Sequence, residues 1–210
     1  MNIKLTILES DGQIAQSIVS ALKPQVETLV NKSIKTLQND IQQDFESALK
    51  SEPEYESLKS GRLKYEFGLP QDVNIDEVVS IMSNSIKIQV TPSMNPTRIN
   101  MGITISIFDK SGEPAISSDN AFMTDEKRGY SLPWLEWLLF KGTRPLVKNF
   151  TVKIGPNKFS RTGMALMIDS NKNWKVPSEF AGSPSNNWAT RALDKIEDKI
   201  KDKIGKILRG

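Results

Sequence analysis

The 210-residue chain contains no cysteine and no histidine. The first absence removes disulfides, thiolate nucleophiles and Cys-ligated metals. The second removes the imidazole base, the Ser-His and Cys-His pairs and most transition-metal sites. An enzyme built from this alphabet is left with carboxylates, Lys or Tyr bases, or a hard cation. Charge of one sign is also missing: 28 basic against 25 acidic residues gives +3. That is not the basic stripe of a dedicated nucleic-acid binder. No segment approaches the roughly 18 apolar residues of a membrane span, and the opening MNIKLTILESDGQ lacks the plan of a signal peptide. There is neither a Gly-Lys-Ser/Thr phosphate loop nor a dinucleotide glycine fingerprint. These absences favour a non-enzymatic protein made in the cytoplasm, with no cofactor and no metal. The 38% of hydrophobic residues is enough for a folded core.

Along the chain, apolar residues recur at Ile14, Ile18, Leu22, Val26, Val30, Ile34, Leu37, Ile41, Phe45 and Ala48. Steps of four and three mark one stripe on a long helix. Ser10 and Asp11 are capping types, and Pro24 either kinks the helix or opens a second one. Such a stripe more commonly lies on its own domain; the alternative is a neighbouring subunit, toward which the length leans because a small sheet cannot cover all of it. Pro53 starts another helix. Leu63, Tyr65 and Phe67 fit a strand or a helix face equally. Asn74 or Asp76 caps a short helix through Val78, Val79 and Met82.

Ile86, Ile88 and Val90 alternate, as do Met101, Ile103, Ile105 and Ile107, which predicts two strands. Residues 117–129 read as an exposed loop. Residues 130–168 hold the densest apolar pattern. There Ser131 and Pro133 open a buried helix carrying Trp134, Leu135, Trp137, Leu138 and Leu139, with Gly142 as its C-cap. Phe150, Val152 and Ile154, then Met164, Leu166 and Ile168, predict a meander, to which residues 174–176 add a strand. Ser185 or Asn186 caps a last amphipathic helix with its stripe at Trp188, Ala192, Ile196, Ile200, Ile204 and Ile207. Three settings compete for it: its own domain, other subunits, or a membrane surface, the last disfavoured by a polar face with as many acids as bases.

The fold class expected is α+β: a long N-terminal helix, an antiparallel sheet of about 4–6 strands, a buried Trp-rich helix and a C-terminal amphipathic helix. The divisions expected are a helical extension over 1–52, a core over 53–185 and a final helix over 186–210, together forming one structural unit.

Candidate chemistry is sparse. Ser160-Arg161-Thr162-Gly163 has the makings of an anion-binding turn, although a loop whose hydroxyls satisfy its own backbone is the commoner use of these types. Arg144, between Thr143 and Pro145, has the same status. Asp119, Asp125 and Glu126 cluster without a spacing that requires paired acids across a cleft. Asp109, Ser111 and Glu113 alternate like a calcium loop but lack the twelve-residue pattern.

Several strings have a combined order: SLPWLEWLLFKG, VKIG, SRTGMALM, W-x-VPSEFAG and SNNWATRAL. Over residues 54–193 this combination resembles neck-region virion proteins of tailed bacteriophages, of the head–tail joining, tail-completion or tail-terminator type. The resemblance implies a structural subunit without catalytic residues. It would form a homo-oligomeric ring between portal-side connector proteins and the tail tube, sheath or terminator, with genomic DNA passing through the lumen without sequence-specific binding. It implies residence in the virion neck after assembly in the host cytoplasm, with no membrane partner. Trp134, Trp137, Arg161, Gly163, Trp174, Phe180 and Gly182 would be fold and interface positions. Arg144 and Trp188, at the root of the last helix, join them as candidates from the residue pattern. The alternatives are a carboxylate-dependent hydrolase of cell-wall glycans and a nucleic-acid-binding module, whose binding would fall steeply with salt.

Overall fold

The computed structural model describes residues 10–95, 98–106, 113–125 and 129–209. Contacts within the chain divide it into two units, one of residues 1–40 and 87–106, the other of residues 41–86 and 107–210.

A single helix, α1 (Asp11–Ser51), runs through the predicted stripe with Pro24 inside it. A reciprocal cap opens it: the Ser10 amide donates to Gln13 Oε1 at 2.9 Å and the Gln13 amide to Ser10 Oγ at 3.4 Å. Pro24 offers no amide to the preceding turn. The helix continues with the Ser20 carbonyl lacking that donor, and the Thr28 hydroxyl donates to the Pro24 carbonyl at 2.8 Å. In the first unit, β1 (Lys87–Asn95) and β2 (Arg98–Ser106) form an antiparallel hairpin with Ile88 opposite Ile105. The strand β1 extends through Pro92, beyond its predicted end.

The second unit holds the core. The last part of α1 contributes Ile41, Phe45 and Leu49, all fully buried. Helix α2 (Pro53–Lys59) starts on the predicted proline. Residues 62–67 resolve as a helix, α3 (Arg62–Phe67), which burial of Leu63, Glu66 and Phe67 at steps of three and one selects over a strand. It ends on Gly68 in the left-handed region, φ 67°. Helix α4 (Ile75–Asn84) is capped by Asn74, whose Oδ1 accepts the Glu77 amide at 3.2 Å.

A one-turn helix, α5 (Glu113–Ile116), and a 3-10 turn at Asp119–Ala121 lead into β3 (Met123–Asp125), paired antiparallel with β4 (Tyr130–Leu132). Residues 117–125 are therefore not an exposed loop: Ala121 and Met123 are buried. Ser131 belongs to β4 rather than capping a helix. The Trp-rich helix is α6 (Trp134–Glu136), continued by a π-turn over Trp137–Lys141. Trp134, Leu135, Leu138 and Leu139 are fully buried, while Trp137 and Phe140 are half-buried.

β5 (Phe150–Ile154) pairs antiparallel with β6 (Ala165–Asp169). The predicted strand at 174–176 reduces to one bridge between Val147 and Trp174. The expected sheet of 4–6 strands is thus replaced by three two-stranded ribbons, β1–β2, β3–β4 and β5–β6. Among the described residues, β1–β2 and β5–β6 fall on runs expected as strands, whereas β3–β4 falls where a loop and a helix start are expected. Alternation identifies a strand's faces but does not say which other strand lies beside it.

α7 (Trp188–Arg209) closes the chain. Its cap is Asn187, not Ser185 or Asn186. Asn187 Oδ1 accepts the amides of Ala189 at 3.0 Å and Thr190 at 3.1 Å, and Thr190 Oγ1 accepts the Asn187 amide in return. Trp188, Ala192, Ile196 and Ile200 are buried. The Trp188 indole donates to the Leu49 carbonyl at 3.0 Å, and Lys203 reaches Asp44 at 2.6 Å. The last helix therefore packs on its own chain, the first of its three competing settings.

One cluster under α7 is ionic. Glu54 is fully buried, with Oε1 hydrogen-bonded by the Arg191 guanidinium and Oε2 without a hydrogen-bond partner among the described residues. Lys195 lies 2.6 Å from Glu52. Burial pushes the Glu54 carboxyl up from its ordinary 4.5, against the pull of Arg191. The folded state then holds this proton more tightly than the unfolded chain. Its contribution is complete below pH 4.5 and is lost as pH rises through the elevated value. Glu54→Gln is expected to remove that fall, and urea titrations of both proteins between pH 4 and 8 check it. Asp76 works in the opposite sense: hydrogen bonds from Tyr55, at 2.5 Å, and Lys59 hold its carboxyl below the ordinary range.

Candidate functional site

The 160–163 turn can be built from its bonds. Residues 155–164 join β5 to β6. The Gly155 amide donates to the Met164 carbonyl at 2.8 Å and the Asn157 amide to the Gly163 carbonyl at 2.8 Å. Gly163 has φ 73°, a conformation that strains any residue with a Cβ. Ser160 Oγ accepts the Ala165 amide at 3.1 Å and lies 3.1 Å from Thr162 Oγ1. Both hydroxyls serve the turn's own backbone.

The Arg161 guanidinium is a tie between elements. Nη2 donates to the Tyr130 hydroxyl at 3.1 Å and sits 3.8 Å from Asp125 Oδ2, while Nη1 touches the Met123 sulfur. Its central carbon lies 3.8 Å from where a Cβ on Gly68 would stand. One side chain thus joins β3, β4 and the end of α3 to the β5–β6 turn.

Around it opens a cleft of about 1300 Å³, walled by β3–β4 on one side and β5–β6 on the other. Phe67 and Trp174 form its floor, with rings 5.7 Å apart and edge-on, and Trp134 stands 6.1 Å from Phe67 on the inner side. The Trp174 indole donates to Glu66 Oε2 at 2.7 Å. Glu66 Oε1 in turn accepts Arg62, which also binds Glu179 at 2.6 Å. Glu66, Asp72, Asp119 and Asp125 all line the cleft, and Arg161 is the one base among its lining residues. Four carboxylates against one guanidinium, itself engaged, repel phosphate and other anions. The volume exceeds the usual range for a small-molecule pocket, about 300–1,000 Å³, and suits an extended segment better.

The remaining sequence candidates sit elsewhere. Trp134 donates to the Asn120 carbonyl at 2.8 Å, and Asn120 Oδ1 accepts the Asn74 amide at 2.8 Å. Lys141 stacks 5.7 Å over the Trp137 ring. Arg144 is exposed, with no side-chain partner among the described residues. The half-buried Phe180 closes a turn on Pro177. Gly182 packs on the π-turn, donating its amide to the Leu138 carbonyl at 3.0 Å. Gly142 is the expected C-cap, with φ −56° in the right-handed helical region. What demands glycine there is proximity, since a Cβ would stand 2.7 Å from Ala181 Cα.

Asp119 and Asp125 do share the cleft, while Glu126 lies outside the described residues. So do Asp109 and Ser111 of the calcium-like alternation, whose Glu113 starts α5. Among the described residues no group of three acids is placed to hold a metal ion, and no helix is long and apolar enough to cross a membrane. Comparison with known protein families, curated proteins and solved structures returned no match.

A second surface was only partly legible. The stripe of α1 is buried from Leu37 onward, but Ile14, Ile18, Leu22 and Leu29 are exposed, Ile18 by 53% and Leu29 by 63%. Val26, Val30 and Ile34 are half-buried. Residues 11–40 amount to roughly 45 Å of helix at about 1.5 Å per residue.

Proposed function

We propose that this chain is a structural subunit of a homo-oligomeric ring in the neck of a tailed bacteriophage, placed between portal-side connector proteins and the tail. The observation that carries the assembly reading is the open stripe on α1. A helix that repeats Ile14, Ile18 and Leu22 at intervals of four, and leaves them in water, exposes an apolar row that isolated surface residues do not produce. A neighbouring subunit would bury that row. The near-balanced charge suits a lumen that passes DNA without gripping it. The neck itself comes from the resemblance over residues 54–193. In this reading Arg161, Trp174 and the two close-packed glycines hold the subunit's shape.

The test is a pair of lysines on the open row. Ile18→Lys with Leu22→Lys is expected to leave helicity nearly unchanged, because both residues are exposed in the single chain. It should convert assembled protein to monomer in sedimentation velocity. Unaltered assembly would remove α1 from the interface.

One observation favours a second reading, a carboxylate-dependent hydrolase of cell-wall glycans: Asp119 and Asp125 line the same large cleft. Clearing of a peptidoglycan zymogram that disappears in Asp119→Asn and Asp125→Asn would support it, and a blank gel with the unaltered protein would reject it.

A further inference from the structure

The β5–β6 ribbon leaves an edge open. The ladder is bounded by Gly155 donating to Met164 at 2.8 Å and Ser170 donating to Asn149 at 2.9 Å. In an antiparallel pair the residues alternate, so 164, 166, 168 and 170 turn their backbone groups toward β5 and 165, 167 and 169 turn theirs away. The side-chain bond from the Ala165 amide to Ser160 agrees with this phase. The outward groups of Met167 and Asp169 have no backbone partner among the described residues. Leu166, Met167 and Ile168 are exposed by 37–39%. The edge carries no proline, lysine or bulge over 165–169, and its one charge is Asp169 at the end of the strand.

We infer that β6 pairs antiparallel with β6 of a second copy of this chain, about a two-fold axis at Met167. The register follows from the sequence Ala-Leu-Met-Ile-Asp. Centred on Met167, it sets Leu166 opposite Ile168 of the other copy, twice, and Ala165 opposite Asp169. Every outward residue then meets an outward residue, so the hydrogen-bond phase and the side-chain match agree. The three central cross-strand pairs are apolar, Asp169 faces alanine, and no like charges face each other. The same operation on β5 about Val152 would set Thr151 against Lys153, a polar pairing, and Phe150 and Val152 are already half-buried. β6 is therefore the preferred edge. The product is a continuous four-stranded sheet, β5–β6–β6–β5, whose two outer edges are those of β5. A two-fold contact of this kind does not rest on the ring reading. It would join two rings back to back or stand alone as a dimer.

Because the chain lacks cysteine, Met167→Cys places one thiol per copy on the proposed axis. In a hydrogen-bonded antiparallel pair the two Cα atoms lie about 5.5 Å apart, within the range a disulfide spans. Mild oxidation of the folded protein is expected to give a covalent dimer with Met167→Cys and only a trace with Ile154→Cys on the other edge. Met167→Pro removes only an amide that points away from β5. It should weaken self-association in sedimentation equilibrium by at least about tenfold, with circular dichroism confirming the fold; Leu166→Lys provides the same test without a backbone change. Equal cross-linking from both single thiols would overturn the proposal. So would a mixed Met167→Cys and Ile154→Cys disulfide as the main product, since that is the mark of head-to-tail pairing. Loss of assembly in the α1 lysine variant with the Met167→Cys dimer retained would reject neither surface and would separate the two contacts.

Discussion

Gly182→Ala is expected to lower stability by more than about 3 kcal/mol, because an added Cβ meets the main chain more closely here than at any other glycine among the described residues. A Cβ at this position would stand 2.4 Å from the Leu138 carbonyl oxygen, 2.5 Å from that of Leu139 and 2.8 Å from Asn187 Cβ. The first two are main-chain atoms of a buried turn. They cannot swing aside as the end of a side chain does. Nor can the 177–187 loop retreat cheaply, because the Gly182 amide binds Leu138 and Asn187 Nδ2 binds the Ser183 carbonyl at 2.9 Å. Asn187 also caps α7, so a shift of the loop disturbs the helix that covers the core. Gly142→Ala is the reciprocal case, with a Cβ 2.7 Å from both Ala181 Cα and the Gly182 amide nitrogen. A cost of this size lowers the melting temperature of a chain this long by roughly 6–12 °C. Differential scanning calorimetry of Gly182→Ala beside Gly163→Ala separates the two uses of glycine. At Gly163 a Cβ meets nothing within 4 Å and only the positive φ is strained, so the expected cost is about 1–2 kcal/mol.

Trp188→Ala is expected to cost about 3–5 kcal/mol. The indole is fully buried at the start of α7 and donates to the Leu49 carbonyl near the end of α1. That carbonyl is among the last four of its helix: the residue four on is Pro53, which has no amide, and the Glu52 amide reaches it only at 3.3 Å. Trp188 therefore fills the core and satisfies a helix end at the same time. Phenylalanine separates the two roles. It keeps most of the apolar volume and loses the bond, so Trp188→Phe should cost about 1–2 kcal/mol. Urea unfolding of the two variants measures both. A Phe variant as damaged as the Ala variant would show that the hydrogen bond, not the apolar volume, dominates.

These two residues also mark what could and could not be read in advance. Helices announced themselves through spacing: the stripe of α1, the Pro53 start, the Asn74 cap and the row from Trp188 to Ile200 all depend on residues within a few turns of each other. Buried tryptophans followed from apolar density. The sheet did not, because whether β3–β4 lies beside β5–β6 depends on packing between segments far apart in sequence. Residues 62–67 were ambiguous because six residues fit both periods. The sequence places Gly142 correctly as the cap after the helix, but its requirement for glycine comes from the backbone of Ala181, some forty residues on. The cleft had the same origin. Arg161 was visible as a basic residue in a turn, but its partners Asp125 and Tyr130 come from a ribbon whose pairing no local pattern encoded. Glu66 and Glu54 passed unnoticed, since nothing in their neighbourhood distinguishes a buried glutamate from a solvated one. The open part of the α1 stripe repeats the same spacing as the buried part, so the pattern could not say where the core stops.

The proposed assembly is a closed ring of copies of this chain, joined through surfaces that include the exposed row of α1. Mass photometry of the purified protein, with negative-stain images of the same sample, measures it directly. One discrete oligomeric mass and ring-shaped particles with a central opening are expected. A single monomeric peak that persists as the concentration is raised would contradict it.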